Sequence, residues 1–140
     1  EGGKDLMKMY SSIIGKAGEY RVTSELLLRG YNPATRVVDD GVDIVLNNRK
    51  TIQVKTVTTP HSGFYTVSFA NASWIKGKKA KKGSSLLADY VVIWVVPKND
   101  FYIIPATLIN GKMSISVGGK NGQLYTKYIN KRELLNDEVK

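Results

Sequence analysis

Between residues 43 and 55 an acid, an amide and an amine come into one short stretch: Asp43 heads the run Ile44-Val45-Leu46, and Gln53 and Lys55 alternate with Ile52 and Val54. Successive side chains of a strand point to opposite faces, so Gln53 and Lys55 share one face and Ile52 and Val54 the other. One face is expected to be core and one to be site. Asp43 joins the polar face only if the hairpin opposes residues of equal parity, which requires an odd loop. A three-residue loop at Asn47, Asn48 and Arg49 sets Asp43 across from Gln53, with Asn available for the left-handed position of such a loop. A two-residue loop would oppose Asp43 to Val54.

Together these groups fit the demands of phosphodiester hydrolysis. Mg²⁺ takes one or two carboxylates with carbonyl oxygens, and keeps positions for water and substrate phosphate. Asp43 is the expected principal ligand, with the Gln53 amide oxygen and the Val54 backbone carbonyl beside it. Lys55 is expected to steady the attacking water and the charge developing on the phosphorane. Glu19 lies upstream, near Gly15 and Gly18, and would hold a second metal or its water, the glycines removing bulk beside it.

The elements that must position these residues follow from periodicity. From about Ser11 to Arg29, Ile14, Gly18, Val22 and Leu26 recur at four-residue spacing beside Ile13, Ala17 and Leu27, which predicts one amphipathic helix. Gly30 supplies its stop, and Asn32-Pro33 forbids continuation. Three β-type runs follow, Thr35 to Val38, Val42 to Leu46 and Thr51 to Thr58, read as an antiparallel meander. Phe64 to Phe69 predicts a further strand, and Asn71 an N-cap to a short helix through Trp74-Ile75. Residues 76 to 85 hold five Lys, no acid and two Gly, and are expected to form a loop. Tyr90 to Val96 reads as a strand covered on both faces, with Phe101 to Ile104 returning as its partner. The tail from Asn110 predicts a short hairpin and a helical turn at Lys131 to Leu135. The whole is expected to be a single domain over residues 1–140, α/β or α+β, with a mixed central β-sheet flanked by helices.

Composition narrows the partner. Twenty-one Lys and Arg against twelve Asp and Glu leave a net charge of +9, which argues for a polyanion. With no cysteine there is no disulfide framework, thiolate nucleophile or Cys-based zinc site, and the lone His61 excludes a multi-His metal cluster. The longest apolar run, Val91 to Val96, falls far short of the roughly 20 residues that cross a bilayer, so no membrane partner and a cytoplasmic location are expected.

Gly15-Lys16-Ala17-Gly18-Glu19, Val22, Leu26, Gly30-Tyr31, Asp40-Gly41-Val42-Asp43 and Ile52-Gln53-Val54-Lys55 resemble the helix and active-site meander of the PD-(D/E)XK nuclease superfamily. The likeness is to archaeal Holliday junction resolvase-like enzymes and to related restriction and homing endonucleases, and covers about residues 12 to 58. It implies a restriction-endonuclease-like core and a Mg²⁺-dependent DNA endonuclease, with Mn²⁺ as a substitute. Glu19, Asp43, Gln53 and Lys55 stand on the family's catalytic positions. Gln53 replaces the usual second acid, a variant that some branches carry, and removes one negative charge from the metal site.

Glu19 alone would be a solvated helix acid, Asp40 a turn residue and minor site candidate, and His61 a loop residue able to touch phosphate. Trp74 and Trp94 read as core, and Tyr65, Tyr102, Tyr125 and Tyr128 as half-buried packing rather than base-stacking groups. Lys76, Lys78, Lys79, Lys81 and Lys82 are read as DNA-backbone contacts rather than solubilising charge. The alternative to an enzyme is a DNA-binding module of the same fold with cleavage weak or lost. Cutting both strands needs two sites, so a homodimer or higher homo-oligomer is expected.

Overall fold

A helix of 27 residues, α1 (Gly2–Leu28), begins nine residues earlier than periodicity suggested. It ends as expected: Gly30 turns left-handed at φ +93°, its N–H bonds to the Leu27 carbonyl, and the Tyr31 N–H reaches back to Leu26. This is the double closure of a Schellman motif, which glycine permits at no steric cost. The chain is described by a computed structural model over residues 2–37, 41–75, 78–83, 87–120 and 123–136.

The expected meander follows as β1 (Ala34–Thr35), β2 (Ile44–Val45) and β3 (Thr51–Val57), paired antiparallel. The β2–β3 hairpin pairs Ile44 with Ile52 and closes Leu46 N–H on the Lys50 carbonyl, so its loop is the three residues 47–49. The left-handed position falls on Arg49, at φ 71°, and not on an Asn. The reason is local: in a three-residue loop the third residue takes that conformation. Asn48 instead accepts the Lys50 N–H and donates to the Leu135 carbonyl at 2.8 Å, tying the turn to the tail.

Beyond β3 come β4 (Tyr65–Ser68), β5 (Ala70–Ile75) and β6 (Lys78–Gly83), then β7 (Tyr90–Val95), β8 (Asp100–Pro105) and β9 (Ser114–Val117). The main sheet runs β1-β2-β3-β7-β8; β3 and β7 are parallel and every other pair antiparallel, the mixed sheet expected. Three segments differ from what local sequence signals predict. Asn71 opens no helix, since 70–75 form a strand. The lysine segment is no loop over 78–83 but the partner of that strand, from Ala70↔Gly83 to Ile75↔Lys78. Lysine's polarity dictates where its side chain must go, not whether its backbone can join a ladder, and lysine is common on edge strands. Ser114–Val117 forms no local hairpin but pairs back to Tyr65–Ser68.

The sheet separates two cores. Ile52, Val54 and Thr56 face α1 with their β7 partners, and there Val22 and Leu26 meet Ile44, Ile52, Val92 and Ile103. On the opposite face Val91, Ile93 and Val95 pack against Tyr65, Val67, Val117 and Tyr125. Among the described residues α1 is the one α-helix, so the second face is covered by the β4–β9 ribbon and a 3-10 turn at Gln123–Tyr128 rather than by a helix. Gly18 sets how closely α1 crosses the sheet: a Cβ there would stand 1.7 Å from the Thr56 hydroxyl. At Gly15 a Cβ would meet nothing within 4 Å.

Candidate active site

β2 ladders β3 only as far as Ile52, and β3 runs on to Val57 with β7 on its other side. A cleft of about 340 Å³ opens along the edge so exposed. Glu19 and Lys16 line it from α1, Asp43 from the end of β2, and Gln53, Val54 and Lys55 from β3. Five residues singled out in the sequence, Glu19, Asp43, Gln53, Val54 and Lys55, therefore meet in one place. Gln53 and Lys55 stand on the sheet face away from α1, by their register with Val91 and Ile93, and Glu19 comes from the α1 side. They share the cleft because it wraps an open strand edge, which both faces reach.

Asp43 is held by backbone. Its N–H bonds to the Ile52 carbonyl at 2.9 Å, its carbonyl accepts the Arg36 N–H at 3.0 Å, and its carboxylate accepts the Val54 N–H at 2.7 Å. The Lys55 ammonium lies 5.5 Å from the ring centroid of buried Phe69, a cation–π distance that keeps its stem over the apolar core. The Gln53 amide oxygen is buried without a hydrogen-bond partner. Such an orphan costs about 1–3 kcal/mol unless a donor or cation completes it.

Glu19 is half-buried and pairs with Lys16 at 2.8 Å, one helical turn before it. The hydrogen bond and charge of Glu19 raise the Lys16 pKa above the ordinary lysine value, with a smaller contribution from Asp43. Lys16 thus balances the cleft's two acids. It escaped the sequence reading, as did Ser12 and Arg36, which also line the cleft. The signals were present: Ser12 and Lys16 lie seven and three residues before Glu19, on its side of the helix, and Arg36 follows a strand whose register sets it beside Asp43. Gly15 borders the cleft and leaves it open; Gly18 serves helix–sheet packing.

Other candidates stand apart. His61 is exposed in a turn, exchanging backbone bonds with Phe64, and is not in the cleft. Tyr65, Tyr102 and Tyr125 are buried, Tyr128 is half-buried, and Trp94 packs on Phe101. Lys78, Lys79, Lys81 and Lys82 lie on β6, whereas Asp40 and Lys76 are outside the described residues.

An acid, a neutral amide oxygen and a second acid are hard oxygen donors of the kind Mg²⁺ prefers, and the orphaned Gln53 oxygen fits such an ion. Among the described residues no three His, Cys, Asp or Glu side chains gather as a metal cluster, so the set depends on the amide.

No family profile and no curated protein matches the chain. Among solved structures it superimposes on a bacterial homing endonuclease, I-Ssp6803I, with a TM-score of 0.75 over 89% of this chain and 91% of that one, at 16% identity. The chain shares its fold with a nuclease. A second likeness, to MepB, has a TM-score of 0.48 at 17% identity, over 76% of this chain and 94% of that one. By the homing-endonuclease superposition, the mixed sheet with its flanking helix is the nuclease-like core expected from the sequence. No described helix is long and apolar enough to cross a membrane.

Proposed function

We propose that the cleft is the active site of a Mg²⁺-dependent DNA endonuclease of the PD-(D/E)XK type. The observation that carries this is the meeting of Glu19, Asp43, Gln53 and Lys55 at one open strand edge, on a fold shared with a homing endonuclease. Asp43 and the Gln53 amide oxygen would hold the ion, with the Val54 carbonyl and Glu19 completing the set, and Mn²⁺ would substitute. Bound there, the metal supplies charge neutralisation at the scissile phosphate. Lys55 donates to the attacking water and to the charge gathering on the phosphate oxygens. Lys16 pairs with Glu19 and offsets the repulsion between the acids and the incoming backbone.

The DNA follows from charge. A chain at +9 with four lysines on β6 suits a polyanionic backbone, and Lys76 is assigned to the same contact. The likeness to a homing endonuclease favours a specific DNA site over a Holliday junction as target. One observation favours the alternative, a binding module with little cleavage: Gln53 leaves the cleft one acid short of the family's usual set. Two strands call for two clefts, hence a homodimer.

The test is a panel of duplex, four-way and single-stranded DNA with Mg²⁺, Mn²⁺ or EDTA, read for cleavage and for binding against salt. Replacing Lys78, Lys79, Lys81 and Lys82 with Gln should flatten the slope of log affinity against log salt by about two to four units, at about 0.9 per phosphate contact. Salt-independent binding contradicts the proposal. Binding without cleavage under any metal selects the alternative.

A further inference from the structure

The helix that closes the cleft is apolar on two sides. Its inner side packs Gly18, Val22 and Leu26 against the sheet. On the far side, Leu6, Ile13, Tyr20 and Leu27 recur every seven residues, each more than half exposed, the least of them at 56%. Tyr10 is exposed at 60% beside them, and exposed Ala17 and Ser24 follow Ile13 and Tyr20 by four. At 100° per residue a seven-residue step returns within about 20°, so these positions form one stripe. No charged residue interrupts it at 6, 10, 13, 17, 20, 24 or 27.

We propose that this outer face of α1 is the interface with a second copy of the chain, the two helices packing stripe to stripe across a two-fold axis. A seven-residue apolar repeat is the pattern of a helix that pairs with another helix, large residues as knobs and small ones as space to receive them. Across a two-fold axis such a stripe meets itself and needs no second complementary surface. The area suffices. Residues 6 to 27 span about 33 Å. Two tyrosines, of about 150–250 Å² each when covered, and three aliphatic side chains, all over half exposed, bring each copy roughly 600 Å², the lower end of the roughly 600–1,000 Å² per partner of a standard interface. The uncharged seam also keeps the like charges of two basic chains from facing one another. The cleft, at Ser12, Lys16 and Glu19, lies between the inner and outer faces of the helix, so pairing leaves it on the surface of each copy.

The inference deepens the homodimer of the proposed function, but its evidence is the helix, and its test uses no DNA. Sedimentation of the full chain from about 1 to 100 μM, the range of a micromolar dimer, should give twice the monomer mass. Ile13→Lys with Tyr20→Lys should weaken association at least tenfold while circular dichroism stays as in the wild type and melting loses its dependence on protein concentration. Should that pair fail to fold, Ala17→Glu reads the same seam with one small exposed site. Because the chain has no cysteine, Ala17→Cys and Ser24→Cys report the seam by disulfides between copies. A wild type that stays monomeric, or seam variants that dimerise undiminished, overturns the inference. A monomer that cleaves DNA leaves the nuclease reading standing, and a dimer that does not cleave leaves the seam.

Discussion

The Asp43 carboxylate accepts the Val54 backbone N–H at 2.7 Å, a bond from the end of β2 to the middle of the strand that carries Gln53 and Lys55. It extends the β2–β3 ladder by one side chain where the backbone pairing stops, and so fixes the acid beside the amide and the amine.

That bond separates structure from chemistry at one residue. Asp43→Asn keeps an oxygen for the Val54 N–H and should stay within about 1 kcal/mol of wild-type stability, whereas Asp43→Ala leaves the N–H unmet and should cost about 1–3 kcal/mol in urea unfolding. Both should lose cleavage. DNA binding should persist or tighten in both, since a charge facing phosphate is gone. A cleaving Asn variant would mean that the carboxylate serves the hairpin alone.

Gln53→Glu restores the acid that the resemblance leads one to expect. It should tighten Mg²⁺ binding in calorimetry, because a second full charge joins Asp43 on a hard cation. An unchanged affinity would take Gln53 out of the ligand set.

Two glycines on one helix should answer oppositely to the same substitution. Gly18→Ala forces a methyl to within 1.7 Å of the Thr56 hydroxyl and should destabilise by about 1–3 kcal/mol. Gly15→Ala meets open space and should stabilise by about 0.5–1 kcal/mol through helix propensity. Thermal melts of the two variants decide it.

Glu25, buried in the last turns of α1, takes ion pairs from Arg132 at 2.6 Å and from Arg21 and Arg29 at 3.3 Å. Burial pushes its pKa up, but the Arg132 charge and the hydrogen bonds from Arg29, Arg21 and Arg132 outweigh burial and hold it below the ordinary 4.5. A lowered carboxylate stabilises the fold fully above its unfolded pKa and loses that contribution as pH falls through the folded one. Stability should therefore drop as pH goes below about 4.5, and Glu25→Gln should be less stable at pH 7 with a flatter fall on the acid side. Equal acid slopes for the two proteins would contradict this.

The cleft was legible because it rests on local rules. Period-two alternation put Gln53 with Lys55, loop length set the β2–β3 register, and Gly30 ended α1 where a left-handed residue was required. What escaped depends on partners distant in sequence. The lysine segment reads as too polar to order, and only its pairing with 70–75 makes it a strand. Ser114–Val117 pairs with β4 across more than forty residues of chain, which no local signal marks. Arg49 holds the left-handed position because of where the turn falls, with Asn48 tied down by its bonds to Lys50 and Leu135. Lys16 and Arg36 reached the cleft through helix phase and strand register, consequences of the fold rather than of residue type.

The most direct measurement of the central claim is single-turnover nicking of supercoiled plasmid by wild type and Lys55→Ala, at saturating protein with Mg²⁺. Lys55 touches the cleft without belonging to the proposed metal ligands. Its loss should lower the nicking rate at least about a hundredfold, the scale of removing one donor that stabilises transition-state charge, while Mg²⁺ affinity holds. Wild-type nicking that is abolished by EDTA and lost in Lys55→Ala is the predicted result. Equal rates for the two proteins, or nicking indifferent to metal, would contradict the assignment of this cleft as a phosphodiesterase site.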